Sequence, residues 1–99
     1  MKQETKTIFR VFHGCAEPFA LFPEIPADGC AAHCLSYARL GQHGACSVDI
    51  AARTRAAGRE ETADLREELE RIGYRVRECC RVTPGMHAAR RAALLATTL

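Results

Sequence analysis

The stretch R-E-E-T-A-D-L-R-E-E-L-E-R-I-G-Y, from Arg59 to Tyr74, has the clearest periodicity in the chain. Leu65, Leu69 and Ile72 recur at i, i+4 and i+7 among charged neighbours, which places them on one face of an α-helix. A helix with a single apolar stripe buries that stripe against another element. This stretch therefore predicts an amphipathic helix that packs on a partner layer elsewhere in the chain.

Both ends of this helix carry recognisable signals. Glu60 and Glu61 lie in the first turn, where the positive end of the helix dipole favours carboxylates. Gly73 is suited to a left-handed C-terminal cap, and Tyr74 is then expected to fold back on Leu69. We therefore expect a helix from Arg59 to Ile72.

The partner layer is predicted by four segments with strand-like composition or alternation. Ile8 to His13 and Phe19 to Phe22 are rich in aromatic and β-branched residues, and the short connection between them predicts a β-hairpin. Cys34 to Leu40 alternates and predicts a third strand, which the glycine-rich turn at 41–44 should end. Tyr74 to Val82 alternates again and predicts a fourth strand. Its apolar side, which should meet the helix, holds Tyr74, Val76, Cys80 and Val82, with Glu78 as an exception on that side; the other side holds Arg75, Arg77, Cys79 and Arg81.

The remaining segments predict less. Val48 to Ala57 is rich in alanine and is interpreted as a short helix. After Pro84-Gly85 the alanine-rich segment 84–99 has good helix propensity but few large apolar anchors, so a docked helix, a homodimer contact and a frayed tail all remain open. We expect one α+β domain over residues 1–83, a small antiparallel sheet of about four strands packed on one face by one or two helices.

Composition limits the classes of protein. With 47% hydrophobic and 26% charged residues and a formal charge of +2, the chain is typical of an ordinary globular domain. It has no apolar run of the length that a membrane helix needs, so no membrane partner is expected. The first residues, M-K-Q-E-T-K-T, include no apolar core of a secretory signal, which favours the cytoplasm and free thiols for the six cysteines.

Four potential metal ligands occur close together in sequence. Cys30 and Cys34 are separated by three residues, and His43 and Cys46 by two. Thiolates and imidazoles are the ligands of structural zinc, so a zinc-stapled module is one hypothesis. The competing interpretation is that these cysteines pack as small hydrophobic residues.

The same region permits a Cys–His enzyme. Cys34 or Cys46 would be the nucleophile, activated by His43. Ser36 lacks the G-x-S-x-G context of a hydrolase, and the chain has no phosphate-binding glycine loop. Whether the chain is an enzyme stays undecided at this level, and the absence of a recognised catalytic pattern favours a non-enzyme.

A stripe of basic residues, Arg75, Arg77 and Arg81, could contact phosphates, with Arg90 and Arg91 nearby in sequence. Nucleic-acid binding usually draws on a larger continuous positive surface with interleaved aromatic side chains, which this stripe lacks. Weak nucleic-acid binding is therefore a minor alternative.

The order of several short motifs resembles a group of small uncharacterised proteins encoded by bacteria and their phages or mobile elements. The motifs are A-L-F-P at Ala20 to Pro23, S-Y at Ser36-Tyr37, G-Q-H at Gly41 to His43, and D-L-x-x-E-L-x-x-I-G-Y at Asp64 to Tyr74. The resemblance covers roughly residues 8–82 and implies a single α+β domain. The group has no assigned activity, so the resemblance supplies no catalytic residues.

The recurrence of G-Q-H in that group favours Tyr37, Gln42 and His43 as a polar cluster that either binds a ligand or partner or ties down the connection to the helix. No catalytic, nucleotide-binding or strong metal pattern competes with a binding role. The leading hypothesis is therefore a small non-enzymatic interaction module that acts on an unidentified protein partner, through an exposed sheet face or the G-Q-H loop.

Overall fold

The computed structural model of the 99-residue chain describes residues 4–38 and 42–98. The strands and helices follow in chain order: β1 Thr5–Val11, β2 Phe19–Phe22, β3 His33–Ala38, β4 Gln42–Ser47, a 3₁₀ helix Val48–Arg53, β5 Arg55–Ala56, α1 Arg59–Arg71, β6 Val76–Glu78 and α2 Pro84–Thr98. This is the predicted α+β class.

One sheet contains all the strands. Its main order is β4-β3-β2-β1-β5, with every neighbouring pair antiparallel, and β6 pairs with β1 in parallel. The predicted hairpin of β1 and β2 is confirmed, with Ile8 opposite Leu21 and Phe9 opposite Ala20. β4 therefore forms one boundary of the sheet.

Two opposite faces result from the alternation of side chains along these strands. The face that α1 covers, called the first face, buries Phe9, Ala20, Phe22 and Tyr37 against Leu65 and Leu69. The opposite, second face buries Ile8, Leu21 and Cys34 against Val48 of the 3₁₀ helix, with Val82 packed beside them. The sheet thus has an apolar layer on each face, whereas the sequence predicted helical cover on one.

The helix α1 forms as its periodicity predicts, except that Ile72, the third member of the predicted apolar stripe, lies just past its end and is 50% exposed. Leu65 and Leu69 are fully buried. Gly73 adopts a φ of 116°, and two backbone bonds close the end, from Gly73 N–H to Glu70 O at 3.2 Å and from Tyr74 N–H to Leu69 O at 3.0 Å. This pair of bonds is the Schellman arrangement, which leaves the chain heading back towards the sheet.

The start of α1 is held by a carboxylate. Glu61 accepts a hydrogen bond from the Gly58 backbone N–H at 2.8 Å and two from the Arg55 guanidinium, at 2.8 and 2.6 Å. These donors hold the pKa of Glu61 at about 2, well below its usual range. Because Arg55 belongs to β5, this contact joins the edge of the sheet to the first turn of α1.

Three predictions about strands and helices need correction. Most of the segment 41–44, predicted as the turn that ends the third strand, is itself extended, because Gln42–Ser47 forms β4 and pairs with β3 along its length. The segment Val48–Ala57 is a 3₁₀ helix only to Arg53, and its end joins the sheet as β5. The predicted third strand extended to Leu40, and residues 39–41 lie outside the described part of the chain.

The predicted strand Tyr74 to Val82 is shorter in the structure, where β6 spans only Val76–Glu78. Thr7 pairs with Glu78, and Cys79 N–H then donates to Thr7 O at 2.8 Å, after which the ladder stops. Cys79 packs on the second face, away from α1, as the alternation predicts. The alternation fails after it, because Cys80 is exposed and Val82 packs on the second face and not against the helix. Glu78, predicted on the apolar side, is exposed and paired with Arg66.

The C-terminal segment is a docked helix as far as the described residues reach. Arg90 is buried, and its guanidinium donates to Pro23 O at 2.7 Å, to Ala31 O at 3.0 Å and to His87 Nδ1 at 2.8 Å. Met86 is a second buried anchor of α2. Burial removes Arg90 from any phosphate-binding surface, contrary to the sequence interpretation. Within the described residues, no helix is both long and apolar enough to cross a bilayer.

Replacing Leu69 with Ala should lower the free energy of unfolding by about 2 to 5 kcal/mol, because the substitution leaves a cavity between α1 and the first face. The matched control is Ile72→Ala, since Ile72 is 50% exposed and should cost less than about 1 kcal/mol. Urea denaturation of both variants measures the difference. Equal losses would mean that the stripe does not hold α1 on the sheet.

The Arg55–Glu61 contact should make stability depend on acid. The folded pKa of Glu61 is lowered from 4.5 to about 2, so its contribution is complete above pH 4.5 and disappears as the pH falls towards 2. The difference in urea midpoint between the wild type and Glu61→Gln should therefore be present at pH 6 and shrink as the pH approaches 2. A difference that is constant with pH would contradict the lowered pKa.

Candidate functional site

The exposed edge of β4 is the main candidate site. β4 is paired with β3 on one side, and in the described part of the chain no strand lies on its other side. Its sequence, Q-H-G-A-C-S, contains no Lys, Arg, Asp, Glu or Pro. Those residues are the usual means by which natural sheets prevent an edge from pairing with another chain.

The pairing register decides which backbone groups of β4 point outward. Val48 N–H donates to Ala32 O at 2.9 Å, which makes this pair a hydrogen-bonded one. Antiparallel pairs alternate, so Cys46 and Gly44 bond to β3, whereas the residues between them direct their backbone groups away. The outward N–H groups belong to His43, Ala45 and Ser47. The outward C=O groups of His43 and Ala45 lie beside them.

A cluster of rings and polar atoms holds β4 to the rest of the molecule on the first face. His43 lies directly opposite Tyr37, with ring centroids 4.7 Å apart, and its Nε2 is 2.8 Å from the Tyr74 hydroxyl. Tyr74 also stacks on Phe22, with centroids 4.7 Å apart. Since Tyr74 follows α1, this contact fixes the position of β4 relative to the end of that helix.

The two tyrosines of this cluster differ in burial and partner. Tyr37 is 2% exposed and donates its hydroxyl proton to a carboxylate oxygen of Glu68 on α1. Burial raises the pKa of Tyr74 above its usual value, so its phenol stays protonated at neutral pH. The hydroxyl groups are thus engaged in hydrogen bonds that orient side chains, and we infer that their role here is to position the edge.

An apolar groove with a volume of about 870 Å³ lies beside β4. Its floor on the second face consists of small side chains, and Phe12 and Phe19 form one wall with ring centroids 4.9 Å apart. Phe12 is 44% exposed, which is high for a large apolar residue. The residues that carry the argument are Phe12, Phe19, Ser36, Ala38, Gly44 and Cys46.

The four ligands of the zinc hypothesis are not brought together. Cys34 and Cys46 are directly opposite each other across β3 and β4, on the second face. His43 contacts Tyr37 on the first face, and Cys30 is exposed in the preceding loop. Among residues 4–38 and 42–98, no three His, Cys, Asp or Glu side chains form a group that could hold a metal ion.

The same geometry bears on the Cys–His hypothesis. The sheet lies between the His43 ring and the Cys34 and Cys46 thiols, so neither cysteine is placed to be activated by this histidine. Burial raises the pKa of Cys34 to about 11 and also raises that of Cys46. A raised pKa reduces the thiolate fraction at neutral pH, and the thiolate is the nucleophile.

The residues of the basic stripe are exposed, but they do not form one row. Arg75 precedes β6, Arg77 lies within it, and Arg81 follows after the ladder has ended. Arg77 also pairs with Glu4 at 3.4 Å. The positive charge of the stripe is therefore interrupted and partly offset by a carboxylate.

Of the three predicted binding residues, Tyr37 and His43 are in contact. Gln42 belongs to β4 and pairs with Ala38, and its side chain lies outside the described atoms. Sequence reasoning missed the strand that carries them and the contribution of Tyr74. A useful signal was the length of the segment between Gly41 and Val48, which is sufficient for a strand that returns along β3.

Known proteins offer no match for this chain. No protein-family model matches the chain, and no curated protein or solved structure is detectably similar to it. The site must therefore be interpreted from its own geometry.

Alkylation should separate the cysteines by burial. At pH 7, iodoacetamide should modify the exposed thiols of Cys15, Cys30 and Cys80 first, and Cys34 only when the protein unfolds. Mass spectrometry of the digested protein after timed quenching measures the order. Labelling of Cys34 as fast as that of Cys15 would contradict its burial and would revive a nucleophilic role.

Proposed function

We propose that this protein is a non-enzymatic interaction module that takes an extended segment of a partner protein along the exposed edge of β4. The single observation that carries the proposal is an uncharged, six-residue edge strand with outward backbone donors and acceptors. Strand addition is a common way for proteins to recognise an extended segment, because the main-chain bonds supply affinity without requiring one particular sequence.

The surroundings of β4 support this role. The contacts of His43 with Tyr37 and Tyr74 hold the strand in place, so an incoming segment meets an ordered template and less conformational entropy is lost on binding. The groove on the second face adjoins the same edge at Gly44 and Cys46, which gives an added strand apolar surface for its alternate side chains.

The other sheet boundaries are less suited to accept a strand. β5 has two residues and its Arg55 is engaged with Glu61, and β6 has three residues that include the charged Arg77 and Glu78. Short, charged edges are the form that disfavours pairing. The length and neutrality of β4 therefore make it the preferred boundary.

The test is a parallel selection from a random twelve-residue peptide library, on wild-type protein and on Ala45→Pro immobilised at low density. Proline at this position removes an outward N–H and leaves the bonds between β3 and β4 in place, because Ala45 bonds away from β3. We expect peptides that bind the wild type with micromolar affinity and lose at least about tenfold on Ala45→Pro.

Hydrogen exchange provides the second measurement of this test. The amides of His43, Ala45 and Ser47 should become protected when a selected peptide binds, whereas those of Gly44 and Cys46 should be protected with or without it. Peptides that bind both proteins equally, or a selection that recovers none, would contradict the proposal. Circular dichroism and thermal melting of Ala45→Pro establish that the variant is folded.

A further inference from the structure

The absence of Lys, Arg, Asp and Glu from β4 affects which strand can pair with its outer edge. Among the described strands of three or more residues, β1 and β6 carry charged side chains. β2 and β3 carry none, but they are interior strands already paired on both sides. When two copies of a strand pair antiparallel, each residue near the two-fold axis approaches its own equivalent. Like charges at such positions repel, so an uncharged edge is the one that can pair with itself.

From this we infer that the partner of β4 is a second copy of the chain, with the two β4 strands antiparallel about a two-fold axis close to Gly44 and Ala45. The inference rests on the proposed function, since it names the occupant of the same edge.

The side chains near this axis permit the approach. Gly44 has no side chain, Ala45 is exposed, and the hydroxyl of Ser36 is already bonded to Gly44 O at 3.0 Å on the inner side. With the axis at Ala45, His43 lies opposite Ser47 of the second copy, and Gly44 lies opposite Cys46. In each of these pairs a larger residue faces a smaller one, and no like charges meet.

The backbone groups are also matched. With the axis at Ala45, the Ala45 N–H of each copy donates to the Ala45 C=O of the other. Each Ser47 N–H then donates to the His43 C=O of the other copy. With the axis at Gly44, the His43 N–H of each copy donates to the Ala45 C=O of the other, and the Ala45 N–H donates to the His43 C=O. Either register forms about four main-chain hydrogen bonds and joins two sheets into one.

The strength of this dimer follows from its size. A pairing limited to one six-residue edge buries less surface than the roughly 1,200 Å² typical of stable interfaces. We therefore expect a reversible dimer with a dissociation constant of about 10 to 100 µM, which forms and dissociates within the range accessible to sedimentation.

Sedimentation velocity of the full chain from 5 to about 500 µM tests the inference. The weight-average mass of the wild type should rise from monomer towards dimer, and Ala45→Pro should remain monomeric over the whole range. Ala45→Lys should also remain monomeric because two added charges meet near the axis. The matched control, Ala63→Lys on the exposed side of α1, should dimerise as the wild type does.

A charge-swap experiment distinguishes direct pairing from damage to the fold. Ala45→Lys and Ala45→Glu should each be monomeric alone, and an equimolar mixture should form a heterodimer, since opposite charges then meet at the axis. In the wild type, exchange at the Ala45 amide should slow as the concentration rises, while exchange at Gly44 stays unchanged.

The outcomes separate this inference from the proposed function. A wild type that is monomeric at every concentration, or a dimer that Ala45→Pro leaves intact, overturns the inference. If the library selection nevertheless recovers peptides that depend on Ala45, the proposed function stands and its partner is another protein. If Ala45→Pro changes neither dimerisation nor peptide binding, both proposals are wrong.

Discussion

The packing of Leu65 and Leu69 against the first face of the sheet is the contact on which the remaining structure depends. Each of these side chains is fully buried, and burying a leucine contributes about 1.5 to 3 kcal/mol. Their position on the sheet determines where α1 ends. The cap at Gly73 then brings Tyr74 back over Phe22, and Tyr74 in turn contacts His43 of β4. The position of α1 thus determines the position of β4 through Tyr74, which belongs to neither element.

The second face is stabilised in a different way. Its apolar side chains are covered by the 3₁₀ helix and by the segment after β6, and neither is a long amphipathic element. The buried Arg90 joins α2 to two loop carbonyls near β3, so polar bonds supplement a small apolar contact. The cover is incomplete between the Phe12 and Phe19 rings and the small side chains of β3 and β4, and this gap is the groove. An open groove therefore adjoins the outer edge of β4, beside which no strand lies in the described part of the chain.

The elements that could be predicted from sequence share one property, which is that their pattern is local. The helix from Arg59, its cap at Gly73 and the hairpin of β1 and β2 each depend on residues within one or two turns or across one short connection. β4 could not be predicted in this way, because an edge strand has no apolar face to bury and its glycine resembles a turn. The parallel pairing of β6 with β1 joins residues about 70 positions apart, and no short pattern encodes it.

By itself, the sequence determined the fold class, the amphipathic helix and the nearness of Tyr37 and His43 along the chain, since hydrophobic periodicity and glycine capping act over a few residues. Only the tertiary structure decided on which face each side chain lies. A strand reverses the direction of successive side chains, so Cys46 and His43, three residues apart, lie on opposite sides of the sheet. That separation places two of the apparent zinc ligands on opposite faces of the sheet, and the backbone edge of β4 is then the main candidate site.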